Sequence, residues 1–423
     1  MDESRPDRGR GREPGLTVGV EGSGRMSPRG HIVILDENLP VPLDRRVWLE
    51  ARALVEAGYE VTVISPKGHG AMAARREIRD RVRILRYPQR AASGLFGYLT
   101  EYAPSMLFTA AWLLWLRSHR RIDAVQGCNP PDLFFLLGLC GRAVGARYVY
   151  DQHDANPELS AAKWGNRRVG RLLRWLTERL EAASYRTANL VIVPNDTYAR
   201  IATERGHVPA DRLVLVRNAP PAAHFHQLAK GRGPESDIPF RLGYLGVMGS
   251  QDGVEILVEA AALLRQMRPD LLFAVDLVGD GEARPRLERL AAERGVSDLL
   301  VFHGYMEAER FVPLLARSHV CVCPDPPTPF NNVSTMTKVV EYLAMGRPAL
   351  IFDLAETKSV MGSAGLVVED SSALGLARAM ARLADDRPLL EALTVSAGNR
   401  LSELDYSWES SGQRLIEAYS RLI

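Results

Sequence analysis

The feature that most constrains the fold is an alternation of short apolar runs with helical patterns, which occurs twice along the chain. The first series includes HIVIL (31–35), EVTVIS (60–65), RVRILRYP (81–88), IDAVQGC (122–128), ARYVYD (146–151), ANLVIVP (188–194) and RLVLVRN (212–218). Asp44 precedes the first helical pattern, which ends near Gly58, and is a candidate N-cap. Apolar runs separated by helices predict a parallel, doubly wound α/β sheet.

The alternation restarts after residues 219–239, a segment rich in Pro, Gly and Ala that shows no periodicity. The second series is FRLGYLG (240–246), LLFAVDLVGDGE (271–282), LLVFHGY (299–305), HVCVCPD (319–325) and PALIFDL (348–354). We therefore predict two facing α/β domains, residues 29–218 and 240–405, joined by a linker at 219–239. Ligands of such sheets bind at the carboxyl ends of the strands, which here would border an interdomain cleft.

The two ends of the chain differ from the domains. Residues 1–28 are rich in Arg and Gly and predict a disordered tail without a hydrophobic signal core. Residues 406–423 predict an amphipathic helix that docks across the domain junction. A chain of 423 residues with 46% apolar and 25% charged residues fits two globular domains. Its longest apolar stretch is far short of the ~20 residues that a membrane span needs.

The four cysteines predict a reducing environment. Cys321 and Cys323 alternate along a predicted strand, so both thiols should point to one face. No second pair lies at a zinc-site spacing, and all four are expected to be ordinary buried thiols of a cytoplasmic protein.

The net charge of +2 combines a basic N-terminal half with an acidic C-terminal half. The segment RRVGRLLRWLTER (167–179) is basic and amphipathic. It predicts either docking on the anionic inner face of the cell membrane or a solvated arginine face over an ordinary core stripe. Nucleic acid is not an expected partner, because no recognised binding module is present and the acidic half would repel a polyanion.

The stretch YDQHDANPEL (150–159) follows a predicted strand and carries four side chains that can titrate as acids or bases near neutrality, Asp151, His153, Asp154 and Glu158. It is compatible with a metal site, an acid/base pair or a polar loop without chemistry. Its aspartates are three residues apart, which is not the spacing of a DxD metal motif. We therefore predict no metal.

Two patterns in the second half point to an anionic ligand. Gly246, Gly249 and Gly253 lie between a strand and a helix, where backbone amides can bind a phosphate or where glycines serve a tight turn. The spacing differs from GxGxxG, so dinucleotide binding is not favoured. Lys338 lies near the start of a helix that Ser334 or Thr335 could cap, and Glu341 lies on the same face. Lys338 could bind a phosphate and Glu341 a ribose diol, or the two could form a surface ion pair.

The segments LGYLGVMGSQDGVEILVEAA, LVGDGE, STMTKVVEYLAMGRPALIFDLAET and HDANPEL, in their order and spacing, resemble the retaining glycosyltransferases of family 4. The resemblance covers roughly residues 29–420. It implies the GT-B fold and a metal-independent hexosyltransferase of cell-surface polysaccharide or glycolipid biosynthesis. A UDP- or GDP-linked sugar would be the donor, a lipid-linked or oligosaccharide molecule the acceptor, and no cofactor would be required.

The resemblance also implies roles for individual residues. The implied catalytic residues are His153 and Asp154; the donor contacts are Gly249, Ser250, Gly304, Tyr305, Asn332, Ser334, Thr335, Lys338 and Glu341; the acceptor or phosphate contacts are Arg46, Asn129 and Asp132. Glu341 matches the second glutamate of the family's E-x7-E motif, which holds the donor ribose, and His153 matches its histidine near the donor sugar.

Two positions depart from the family pattern. Val333 replaces the first glutamate of E-x7-E, and VMGSQDG (247–253) replaces the Arg/Lys pair that often grips the diphosphate. Neutralisation of the diphosphate is then expected from Lys338, helix ends and Arg46. Two alternatives stay open, namely a sugar-nucleotide epimerase of similar architecture and a degenerate, non-catalytic sugar-nucleotide-binding protein.

Overall fold

A computed structural model describes residues 28–68, 70–89, 95–165, 168–234, 239–249, 251–404 and 406–423. Within these ranges the chain forms one sheet of eight strands and one of six. Two α/β units in series are therefore present, as the alternation of apolar runs and helical patterns predicted. The expected disordered tail lies, except for its last residue, outside the described residues.

The first sheet has the strand order β3-β4-β2-β1-β5-β6-β7-β8. Its strands are β1 (His31–Leu35), β2 (Glu60–Pro66), β3 (Arg76–Arg79), β4 (Val82–Tyr87), β5 (Ala124–Asn129), β6 (Arg147–Gln152), β7 (Leu190–Val193) and β8 (Leu213–Leu215). The helices between them are α1 (Arg45–Glu56), α2 (Leu95–His119), α3 (Phe134–Ala143), α4 (Asn156–Trp164), α5 (Arg168–Thr187) and α6 (Asp196–Glu204).

Strand β3 is antiparallel to β4 and departs from the predicted parallel arrangement. The two strands form a hairpin through Asp80 and Arg81, whose φ angles are 48° and 65°. Positive φ at both central residues matches the twist of the flanking strands. A two-residue connection of this kind can join only antiparallel strands, because a parallel pair needs a long crossover.

Side chains of β1 alternate between two apolar layers. Ile32 and Ile34 pack with residues of α1, whereas Val33 and Leu35 pack with residues of α2 and α3 on the opposite face. Burial on both faces is typical of a parallel sheet covered by helices. Helix α1 begins as predicted, because Asp44 caps it by accepting a hydrogen bond from the Val47 amide at 3.0 Å.

The second sheet is parallel throughout, with the order β11-β10-β9-β12-β13-β14. Its strands are β9 (Phe240–Leu245), β10 (Phe273–Val278), β11 (Leu300–Gly304), β12 (Val320–Cys323), β13 (Ala349–Phe352) and β14 (Gly365–Val368). Helix α7 (Ala222–Ala229) precedes this sheet, and its helices are α8 (Val254–Met267), α9 (Arg284–Glu293), α10 (Ala308–Leu315), α11 (Pro329–Val333), α12 (Thr337–Ala344), α13 (Ala355–Met361), α14 (Ala373–Asp385) and α15 (Arg387–Leu404).

The cysteines follow the prediction in part. Cys321 and Cys323 lie in the same apolar cluster, so their thiols share one face of β12. Cys128 is also buried, but Cys140 is exposed on α3. The expectation that all four thiols are buried is therefore wrong for Cys140, which lies on the outer side of its helix.

Two segments that connect the sheets carry defined structure. Residues 222–229, inside the expected linker, form α7, and its buried Phe225 packs edge-to-face on Phe311. Helix α16 (Trp408–Leu422) follows α15 and returns to the first sheet, where Leu415 and Tyr419 join the apolar layer of α1. Among the described residues, no helix combines the length and apolarity needed to cross a membrane.

Candidate active site

A cavity of about 360 Å³ lies where the carboxyl ends of the two sheets face each other. From the first unit it is lined by His153, Asp154, Pro194, Tyr198 and Asn218; from the second by Gly246, Val247, Gln251, Asp252, Asp325, Phe330, Asn331, Ser334, Thr335, Met336, Thr337, Lys338 and Glu341. Six of the predicted site residues therefore meet in one cavity, although they are far apart in sequence.

The loop that carries His153 is held by the neighbouring strand. Asn129, at the end of β5, accepts hydrogen bonds on Oδ1 from the amides of His153 at 2.6 Å and Asp154 at 3.1 Å. Its Nδ2 donates to the carbonyl oxygen of Asp154 at 2.8 Å. The Asn129 side chain is buried, and these hydrogen bonds shape the loop. Its contact with an acceptor stays a prediction.

His153 is paired with the acid two residues before it. Its Nε2 donates to Asp151 Oδ2 at 2.9 Å, and Asp151 is fully buried. Burial opposes protonation of the ring, but the Asp151 carboxylate outweighs it and raises the pKa of His153 to about 9. At neutral pH His153 therefore presents a positive charge at the cavity wall, where it can stabilise negative charge that develops on a ligand.

Arg46, expected at a phosphate or acceptor, is instead committed to the protein interior. Its Nη2 donates to Asp151 Oδ1 at 2.8 Å, and its Nη1 donates to the Val216 carbonyl at 2.7 Å and to Asn218 Oδ1 at 2.6 Å. Its Nε lies 3.2 Å from Glu50. Arg46 therefore stabilises the buried Asp151 carboxylate that His153 requires.

Asp132, expected at an acceptor or phosphate, lies in the interior of the first unit. It is buried, with hydrogen bonds from the Tyr150 hydroxyl at 2.7 Å and from Asn156 Nδ2 at 2.6 Å. Burial raises the pKa of Asp132, and its hydrogen bonds act in the opposite direction. Its contacts join β6 to the start of α4, so it fixes the far end of the His153 loop.

Asp154 lines the cavity. Burial is the main cause that raises the pKa of Asp154 to about 6, and the charge of His153 lowers it by a smaller amount. A carboxyl group that titrates near neutrality can accept a proton from, or a hydrogen bond of, an incoming hydroxyl. Its place in the cavity wall is compatible with the catalytic role that the resemblance implies, and that role stays a prediction.

Lys338 is buried on the first turn of α12, where it meets Asp252 and Asp325, two acids outside the predicted site. Its Nζ donates to both carboxylate oxygens of Asp325, at 2.9 and 2.8 Å, and lies 3.8 Å from Asp252. Asp325 follows β12 by two residues, and that place at a strand's carboxyl end was the signal that could have revealed it. The charge of Lys338 is thus already balanced within the protein.

Glu341 lies one turn further along α12 and is bound across the cleft. Arg45 Nη1, from the first unit, donates to Glu341 Oε1 at 3.0 Å. Burial raises the pKa of Glu341, and Arg45 counters that effect. Because Lys338 and Glu341 are both buried and bind different partners, the alternative of a Lys338–Glu341 surface pair is wrong.

The glycine-rich turn is shaped by close approach. Gly246 has φ of 150°, and a Cβ there would lie 3.0 Å from Lys338 Cε. A Cβ on Gly253 would lie 2.0 Å from the Pro324 carbonyl oxygen, so that position requires glycine for packing alone. The Gly249 amide donates to Asp252 Oδ2 at 3.0 Å, and is therefore engaged by the turn itself. Ser250 lies outside the described residues.

Gly304 and Tyr305 were expected beside the nucleotide base; Gly304 is the last residue of strand β11, and Tyr305 follows it. Gly304 has φ of 74°, a left-handed conformation that favours glycine. Tyr305 is 67% exposed, and its hydroxyl donates to Glu307 at 3.0 Å. Neither residue is among the described residues that line the cavity.

The segment between α11 and α12 faces the first unit. Asn195 Nδ2 donates to the Val333 carbonyl at 2.9 Å and to Thr335 Oγ1 at 3.0 Å, and Ser334 shares a hydrogen bond with the Tyr198 hydroxyl at 3.3 Å. Helix α12 begins at Thr337 with Met336 at its N-cap, so neither Ser334 nor Thr335 caps it.

Two neighbours of that segment do not line the cavity. The Val333 side chain packs against the apolar cluster around Tyr198 of the first unit. Asn332, expected at the donor, is exposed, and its Oδ1 accepts from the Ala355 amide at 3.0 Å. It therefore bonds to the first residue of α13 and does not face the cavity.

Three side chains at the His153 loop are close enough together to be considered as ligands of a metal ion. Cys128, Asp151 and His153 each offer one ligand atom, and these atoms lie within 4.8 Å of one another. Asp151 already accepts hydrogen bonds from Arg46 and from Gln126, and burial raises the pKa of the Cys128 thiol well above its usual value. A protonated thiol is a poor metal ligand. These contacts favour a hydrogen-bonded network, and metal independence stays a prediction.

Comparison with protein families assigns both units. Residues 43–219 match the description "Glycosyl transferase 4-like domain", and residues 239–386 match "Glycosyl transferases group 1". The chain belongs to the group 1 glycosyltransferases, and its N-terminal unit matches a glycosyl transferase 4-like domain. The predicted assignment to the glycosyltransferases is thereby confirmed, whereas retention of configuration stays a prediction. The solved structures described next confirm the GT-B fold.

Individual relatives and solved structures agree with this assignment. The chain is 29% identical over 266 residues to alpha-D-kanosaminyltransferase of Streptomyces kanamyceticus, covering 62% of this chain and 64% of the relative. It is 25% identical to 2-deoxystreptamine glucosyltransferase of the same organism, over 79% of this chain and 88% of that protein. Sucrose-phosphate synthase from Thermosynechococcus elongatus has the same fold, with a TM-score of 0.71, 18% identity and coverage of 93% and 99% of the two chains. HepE from Anabaena, solved in complex with UDP, has the same fold with a TM-score of 0.66 at 15% identity. The match covers 92% of this chain and 100% of HepE.

Proposed function

We propose that this glycosyltransferase moves a hexose from a UDP- or GDP-linked donor to a lipid-linked or oligosaccharide acceptor, with retention of anomeric configuration and without a metal. The observation that carries the proposal is the meeting, in one cavity, of Lys338 and Glu341 from the second unit with His153 and Asp154 from the first. The first pair provides a nucleotide-binding wall, and the second faces the sugar.

In the proposed reaction the bond between the anomeric carbon and the departing phosphate oxygen breaks. An acceptor hydroxyl forms the new bond on the same face of the sugar, and its proton passes to the departing phosphate. His153, held as a cation by Asp151, stabilises the negative charge on the reacting groups. Asp154 accepts a hydrogen bond from the acceptor hydroxyl and orients it for attack.

The choice of donor rests on the cavity and on two sets of named relatives. Glu341 is buried and can accept hydrogen bonds from a ribose diol once Arg45 leaves it. HepE has been solved in complex with UDP and with UDP-glucose. A Corynebacterium glutamicum relative, 29% identical over 38% of this chain, is named as GDP-mannose-dependent. These names support a nucleoside diphosphate sugar and leave uracil and guanine as the bases to be compared.

A lipid-linked acceptor is supported by the outer face of the first unit. On α5 the side chains of Val169, Leu172, Trp175 and Leu176 are exposed among arginines. A basic face with exposed apolar side chains can lie on an anionic bilayer and so approach an acceptor embedded in it. A relative named as a lipopolysaccharide core glycosyltransferase, from Rhizobium meliloti, is 32% identical over 42% of this chain.

The proposal is tested by a thermal-shift screen of nucleosides, nucleoside diphosphates and nucleotide sugars. Binding to the folded state raises the unfolding temperature by mass action. We expect a shift with a UDP- or GDP-linked sugar that is lost in Glu341→Ala, because the ribose contact is removed. Equal thermal shifts in the wild type and in Glu341→Ala would show that Glu341 does not bind the ribose.

A second variant separates binding from chemistry. His153→Ala should keep the thermal shift with the donor but lose transfer to an acceptor panel of lipid-linked sugars and free oligosaccharides. Product configuration, read by NMR coupling at the new anomeric centre, decides between retention and inversion. Full turnover in His153→Ala would defeat its catalytic assignment, and absence of any acceptor requirement would favour an epimerase.

A further inference from the structure

Arg45 and Arg46 are neighbours at the start of α1 but have opposite environments. Arg46 is buried and bound to Asp151, whereas the Arg45 side chain is 58% exposed and reaches across the cleft. Arg45 Nη1 donates to Glu341 Oε1 at 3.0 Å, and the Glu341 side chain is only 7% exposed. One of two adjacent arginines thus holds the first unit together, and the other bridges the two units at the candidate donor site.

The cavity without Arg45 is poorly suited to a diphosphate. Its described lining residues include the carboxylates of Asp154, Asp252, Asp325 and Glu341, against the cations of His153 and Lys338. Lys338 is already bound by Asp325 and lies near Asp252. A nucleoside diphosphate brings at least two more negative charges, and like charges at close range in a partly buried site repel strongly. An additional cation is needed.

Arg45 can supply that charge. A guanidinium has five N–H donors and binds phosphate oxygens bidentately, and Arg45 donates to Glu341 through Nη1. Lys338 and Glu341 are three residues apart on the same face of α12, a separation of about 4.5 Å along the axis. An arginine side chain anchored on the opposite wall can swing over that distance.

We propose that Arg45 leaves Glu341 when the nucleotide sugar enters and binds the donor diphosphate, while the ribose hydroxyls take its place on Glu341. The inference rests on the proposed function. In this proposal Arg45 of the first unit supplies the positive charge for the diphosphate. VMGSQDG (247–253) in the second unit has no Arg or Lys that could supply it. Arg45 is in this sense a donor-binding residue that, without ligand, occupies the ribose site.

The test compares nucleoside, monophosphate and diphosphate binding by calorimetry, in the uridine and guanosine series. In Arg45→Ala we expect diphosphate affinity to fall about tenfold or more, since a charge-assisted contact is lost. Nucleoside affinity should stay equal or rise, because nothing then competes for Glu341. Arg45→Lys should retain part of the diphosphate affinity, because it keeps the charge without the bidentate fork.

Arg52→Ala is the matched control, because Arg52 is an exposed arginine on the same helix that pairs with Glu56 instead of reaching the cleft. It should bind every ligand as the wild type does. Each titration is run with EDTA and with Mg²⁺, and the unfolding temperature of each variant confirms that it is folded.

Several outcomes would overturn the inference. They are unchanged diphosphate affinity in Arg45→Ala, equal losses for nucleoside and diphosphate, or wild-type diphosphate binding that requires Mg²⁺ and is unaffected by Arg45→Ala. The last result would identify a metal as the missing cation. A wild-type protein that binds none of the nucleotides or nucleotide sugars would instead refute the proposed function.

Discussion

The Tyr419 hydroxyl, near the end of the chain, donates a hydrogen bond at 2.6 Å to Gln126 Oε1 in the middle of the first sheet. Both side chains are fully buried. The amide of Gln126 in turn donates to Asp151 Oδ2 at 2.9 Å. The last helix of the chain therefore completes the first unit and orients the amide that supports the His153–Asp151 pair.

Tyr419→Phe should lower the free energy of unfolding by about 1–2 kcal/mol, because it leaves a buried amide oxygen without a donor. Urea unfolding at fixed pH measures the change. Tyr59→Phe is the control, since Tyr59 packs on the Tyr419 ring and belongs to the same apolar cluster. A Tyr419→Phe protein as stable as the wild type would show that Gln126 finds another donor.

The His153–Asp151 pair predicts a pH-dependent stability. The pKa of His153 is raised to about 9 in the folded protein, against about 6.5 for an unfolded histidine. The stabilisation is therefore complete below about pH 6.5 and is lost as pH rises to about 9, with a total of at most about 3 kcal/mol. Urea unfolding from about pH 6 to about 9.5 should show this decline in the wild type.

His153→Gln provides the comparison, because a neutral side chain of similar reach cannot titrate in this range. The difference in stability between wild type and variant should shrink as pH rises. Parallel curves for the two proteins would mean that His153 does not carry the charge.

The Lys338–Asp325 pair predicts strong coupling between two buried charges. Lys338→Met leaves Asp325 buried without its cation and should cost about 3–5 kcal/mol of stability. The double variant Lys338→Met/Asp325→Asn should recover a large part of that loss, since the uncompensated carboxylate is gone. A double-mutant cycle measured by chemical denaturation tests this, and simple additivity of the two changes would contradict it.

Asn195 donates hydrogen bonds from the first unit to the second, and we expect these bonds to hold the two units together. Its Oδ1 caps α6 through the Tyr198 amide, while its Nδ2 donates to Val333 and Thr335 across the cleft. Asn195→Asp keeps the cap but removes both interdomain donors. The new carboxylate and Glu356 would then compete for the Thr335 hydroxyl. Small-angle scattering should show a larger radius of gyration.

Asn189→Asp is the matched control for this change. Asn189 also accepts a backbone hydrogen bond on Oδ1, from Tyr148, but lies within the first unit. It should leave the radius of gyration as in the wild type. Equal scattering curves for Asn195→Asp and wild type would show that other contacts suffice for closure.

Much of the fold was predictable because it follows from local patterns. Apolar runs such as HIVIL and EVTVIS became strands at the expected positions, and Asp44 caps α1 as its residue type suggests. The missed strand β3 is charged and lies at a sheet edge, so it lacks the apolar signal of a buried strand. Likewise, the helix inside the linker owes its place to packing on α10 and α12, which no local pattern reveals.

The sequence by itself determined the two α/β units and the strand ends that border the cavity. It also singled out His153, Asp154, Lys338 and Glu341, which line that cavity. Which of two adjacent arginines reaches the cleft was decided only by tertiary structure. Helical periodicity separates Arg45 from Arg46 by about 100°, and the neighbouring Asp151 captures one while the facing Glu341 captures the other. Charge pairing between distant segments depends on their approach in space, which the spacing of residues along a chain does not encode.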